Sequence, residues 1–68
     1  MKMMNEFEIA KAVKYSRVKL GITQEELAKK SGISVATVNF LENGKIKPHP
    51  KTIVAVAEAL GVNPKEWM

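Results

Sequence analysis

Apolar residues recur along this chain at helical spacing, separated by short polar or glycine-containing breaks. Between Thr23 and Gly44 two short helical patterns stand almost back to back. In the first, Thr23 is a good N-cap and Glu26 follows three residues later. That is a capping box: the threonine oxygen accepts an orphan amide of the first turn and the glutamate reaches back to the cap amide. Ile22 and Leu27 can close a hydrophobic staple around it. The second pattern repeats the device, with Ser34 as cap, Ile33 before it and Val38 at the staple position. Gly32 stands where a helix ends in a left-handed residue, which glycine adopts at little steric cost. The link is then only about Ser31 to Ile33. A link that short forces a steep crossing and predicts a helix-turn-helix over 23–43.

The flanking segments read as helices too. The first runs from Asn5 or Glu6 to about Lys19, with Phe7, Ala10, Val13, Val18 and Leu20 expected on an apolar stripe. Glu6 and Glu8 open it and Lys19 closes it, as the helix dipole prefers. The second runs from Gln24 to about Ser31, with Leu27 and Ala28 inward, and the third from Val35 to about Asn43, with Val38 and Leu41 inward. That leaves Ala36, Asn39, Phe40 and Asn43 on its far side and Val35 and Thr37 on its flanks. The fourth opens with His49 as cap and Pro50 first, and runs to Leu60 with Ile53, Val56, Ala57 and Leu60 in the core. A short fifth follows, with Asn63 as cap, Pro64 first and Trp67 as a lid over Val62. The expectation is an all-α fold: one domain over 1–68, a compact bundle of five short helices.

Composition narrows the function. At 68 residues the chain is marginal without good packing or a partner. Its 46% hydrophobic content is too high for a disordered segment. With no cysteine there is no disulfide, thiolate metal site or thiolate nucleophile, which fits a reducing cytosol. No run approaches a membrane span, and three methionines among the first four residues leave the natural start open. His49, between two prolines, has no second histidine to share a metal with. No nucleophile–base pair or phosphate loop is present, so an enzyme is rejected, and no cofactor or small-molecule ligand is expected. The net charge of +4 is uneven: +3 over residues 1–20, −1 over 21–44 and +2 over 45–68. Nucleic acid is the natural partner of such a chain, although a modest positive charge also serves plain solubility.

Gln24-Glu25-Glu26-Leu27-Ala28, Gly32-Ile33-Ser34, Val38 and Leu41-Glu42-Asn43-Gly44-Lys45 resemble the helix-turn-helix of the Cro/C1-type phage repressor family. The likeness extends to Arg17, Leu20-Gly21, Lys47-Pro48 and Ala57 to Val62, roughly Val13 to Trp67 in all. The resemblance implies a lambda repressor-like DNA-binding domain whose third helix enters the major groove. Val35, Ala36, Thr37, Asn39 and Phe40 are then the candidates for reading bases. Asn39 suits an adenine edge, and Val35 and Ala36 suit thymine methyls. Gln24, at a helix N-terminus, suits a phosphate grip. The resemblance adds Asn43, Lys45 and Lys47 along the DNA backbone, and an ion pair between Arg17 and Glu42 that fastens the first helix to the third. It also implies a homodimer through the region of Val62 to Trp67, acting in the cytoplasm at the nucleoid.

Two functions stay open at this stage. One is a sequence-specific transcriptional regulator, a repressor on a two-fold symmetric operator. The other is a protein-interaction module that uses the apolar third-helix face around Phe40, since one scaffold hosts unrelated functions. Phe40 itself fits three settings: packing on sugars or a thymine methyl, contact with a protein, or partial cover by the loop after it.

Overall fold

The structure, a computed structural model, describes residues 4–68; Met1 and Met3 lie outside the described residues. The chain forms α1 (Glu6–Leu20), α2 (Gln24–Ser31), α3 (Val35–Glu42), α4 (Pro50–Ala59) and a final 3₁₀ turn (Pro64–Glu66).

Each α-helix begins where a side chain meets the free amides of its first turn. Asn5 and Glu8 form a capping box on α1, and Thr23 and Glu26 form the expected one on α2. Ser34 Oγ accepts the Thr37 amide at the start of α3. His49 Nδ1 accepts the Lys51 amide at the start of α4, which identifies the role of the lone histidine. The breaks are equally local. Gly32 takes φ +73 at the turn of the motif, and Gly44 takes φ +67 after α3. At Gly44 space is also short, because a Cβ there would lie 2.9 Å from the Phe7 ring.

The core is a single cluster. Leu27 and Ala28 of α2, Val38 and Leu41 of α3, and Ile53, Val56 and Ala57 of α4 meet Ile9 and Val13 of α1. Helix α3 packs against both α1 and α2, and α4 packs beneath α2. Ser31, expected to loosen α2, directs its Oγ back to the Leu27 carbonyl at 2.6 Å, so its polar atom is satisfied within the helix.

Two expectations are corrected. The stripe on α1 is Ile9, Ala10 and Val13, whereas Phe7, Val18 and Leu20 are 63%, 59% and 52% exposed. At 100° per residue, Phe7 and Val18 fall on the side opposite Ile9 and Val13, and Leu20 ends the helix before the core covers it. The bundle also has four α-helices, not five. After Asn63 the chain completes one tight turn, in which the Trp67 amide bonds the Pro64 carbonyl, and the indole enters the core at 4% exposed. The staple geometry proposed there for Trp67 is realised without the helix.

Candidate nucleic-acid interface

The outward row of α3 is a direct product of its inward one. Val38 and Leu41 are buried, which turns Val35, Ala36, Asn39 and Phe40 to solvent and leaves Thr37 half-buried. Val35 is 43% and Phe40 45% exposed, so this face offers two large apolar side chains. Phe40 is thus only partly covered. The two polar candidates are already engaged: Thr37 Oγ1 lies 2.8 Å from Ser34 Oγ, and Asn39 Nδ2 donates to Gln24 Oε1 at 3.4 Å.

Behind the row sits a charged joint. Arg17 Nε donates to Glu42 Oε2 at 2.6 Å and Arg17 Nη2 to Glu42 Oε1 at 3.0 Å, the bidentate fork expected of arginine with a carboxylate. Arg17 Nη1 also donates to the Ile22 carbonyl at 2.8 Å, tying the end of α1 to the approach to α2. The Glu42 hydrogen bonds raise the Arg17 pKa above its ordinary value, against the opposing effect of burial. The Glu42 side chain is 2% and the Arg17 side chain 14% exposed. The ion pair read from the resemblance is therefore present, and it lies inside the fold rather than on the surface.

Sequence reasoning missed how far this joint reaches. Gln24 Nε2 donates to Glu42 Oε1 at 3.1 Å. Asn43 Nδ2 donates to the Asn39 carbonyl at 2.7 Å and lies 3.3 Å from Asn39 Oδ1. Arg17, Glu42, Gln24, Asn39 and Asn43 thus form one continuous chain of contacts. It joins a residue expected to read bases to two expected to hold phosphates. Lys45 and Lys47 stand apart from it, exposed on the loop after α3.

The model of the helix-turn-helix family matches residues 13–67. This chain belongs to that family. The resemblance to Cro/C1-type repressors is borne out. An uncharacterised helix-turn-helix-type transcriptional regulator of Methanocaldococcus jannaschii is 42% identical over 50 residues, covering 74% of this chain and 76% of its own. Another such regulator, of Archaeoglobus fulgidus, is 49% identical over 41 residues, but the match spans only 60% of this chain and 59% of the relative. Among solved structures, the restriction-modification controller protein C.AhdI of Aeromonas hydrophila superposes with TM-score 0.86 at 27% identity, covering 93% of this chain and 91% of its own. The P22 c2 repressor, solved with a synthetic operator, shares the fold with TM-score 0.81 at 22% identity, over 100% of this chain and 96% of its own.

Proposed function

We propose that this helix-turn-helix protein is a sequence-specific DNA-binding transcriptional regulator, a repressor that reads a two-fold symmetric operator with α3 in the major groove. The observation that carries this is the exposed outer row of α3, flanked by the N-terminus of α2 and by the lysine-bearing loop after α3. Val35, Ala36 and Phe40 meet the groove by apolar contact, which favours thymine methyls beneath the first turn of α3. Asn39 keeps one amide hydrogen beyond its bond to Gln24 and offers it to a base edge. Gln24, Asn43, Lys45 and Lys47 hold phosphates on either side. Two chains act together, joined through the segment from Val62 to Trp67. With Trp67 buried, Val62 and Pro64 supply the apolar part of that contact. Among the described residues no helix is long and apolar enough to cross a membrane, and the site of action in this reading is the cytoplasmic nucleoid.

Fluorescence anisotropy on random-sequence duplex DNA, at low and moderate salt, tests the reading. Wild type should bind, with affinity falling steeply as salt rises. A Gln24→Ala/Lys45→Ala/Lys47→Ala variant should bind more weakly, and its log–log salt slope should be shallower by roughly 0.9 for each lost phosphate contact. A folded protein that binds no duplex at low salt would instead favour a protein partner at the Phe40 face.

A further inference from the structure

The side of α1 turned away from the core is not an ordinary polar face. Lys11, Lys14, Tyr15, Val18 and Lys19 line one shallow groove along it. Their spacing of three, four, seven and eight residues from Lys11 places them on a single stripe over two turns. Tyr15 is 68% and Val18 59% exposed, far more than the partly buried apolar residues around the core need to be. Lys19 Nζ sits 5.9 Å from the Tyr15 ring centroid, so that its stem and the ring present one surface. In heptad terms Lys11, Tyr15 and Val18 form the seam, and Lys14 and Lys19 take the flanking positions on its two sides. An apolar seam flanked by one sign of charge is how a helix selects a partner helix flanked by the other sign.

We propose that this face of α1 docks an amphipathic helix of another protein, one whose apolar stripe is bordered by glutamates or aspartates. A second copy of this chain is a poor occupant. A two-fold contact pairs a patch with itself, which here sets lysines against lysines. A DNA backbone is also a poor occupant, because it satisfies the lysines and leaves Tyr15 and Val18 unused. The stripe is moreover on the side of α1 opposite Ile9 and Val13, which pack into the core with α3.

The test uses two labelled synthetic helices, each with leucine along its seam, one flanked by glutamate and the other by lysine. Anisotropy should show saturable binding of the glutamate helix to the full chain and much weaker binding of the lysine helix. Lys14→Glu/Lys19→Glu should weaken the glutamate helix about tenfold and strengthen the lysine helix. Misfolding cannot mimic that exchange. Tyr15→Ser/Val18→Ser, at exposed positions, should lose both while keeping its circular dichroism. Equal binding of the two helices, or no saturable binding, overturns the proposal. Two other results overturn it as well. One is a Lys14→Glu/Lys19→Glu variant that loses duplex affinity but still binds the glutamate helix. The other is a Tyr15→Ser/Val18→Ser variant that turns a sedimenting dimer into monomer.

Discussion

Glu42 is the residue on which the interface turns. It accepts from Arg17 and from Gln24 at once, and its side chain is almost fully buried. Glu42→Ala leaves the partly buried Arg17 guanidinium without its carboxylate, at a cost of about 3 kcal/mol in chemical denaturation. Glu42→Gln keeps the shape and one acceptor oxygen and should lose less. The same change also frees Gln24, whose amide nitrogen now points at Glu42 and whose oxygen meets Asn39. DNA affinity measured under conditions where the variant is fully folded should therefore fall too. This coupling was not legible in the sequence. Arg17 and Glu42 were paired by resemblance, but Gln24 reaches Glu42 only because α2 crosses α3 as steeply as it does.

At the scale of the element, the helix starts were the most legible feature, because a cap is a contact between residues three apart. Thr23, Ser34, His49 and Asn63 all cap as the sequence suggested. Helix α1 was the least legible. It carries apolar residues on both sides, Ile9 and Val13 inward and Phe7, Tyr15 and Val18 outward, so periodicity alone does not single out the core face. The capping box of α2 also carries a pH dependence. Hydrogen bonds from the Thr23 amide and side chain hold the Glu26 carboxyl below its ordinary value. A depressed folded-state pKa adds stability above the unfolded carboxylate's range, and that stability is lost as pH falls through the lowered value. Thermal melts across the acid range should show this component in wild type, and Glu26→Gln should remove it.

For the molecule as a whole, size sets the mode of recognition. The described residues span 31 Å along their longest axis and carry one helix-turn-helix. Half-sites on one face of a duplex lie about 34 Å apart. One chain cannot span two of them, so an operator selected from random DNA should prove to be an inverted repeat. Inserting about five base pairs between its halves should turn them to opposite faces and abolish joint binding, as a gel-shift titration would show.

The tryptophan that seals the core is the sole one in the chain, and it follows the last helical turn with only Met68 after it. It packs with the cluster that includes α4, while the reading row belongs to α3. The molecule therefore carries its own fluorophore, placed to report on closure of its carboxyl end. Its emission follows the moment at which the final turn seats, and a nick or extension that frees that turn would appear as a red shift before any helix melts.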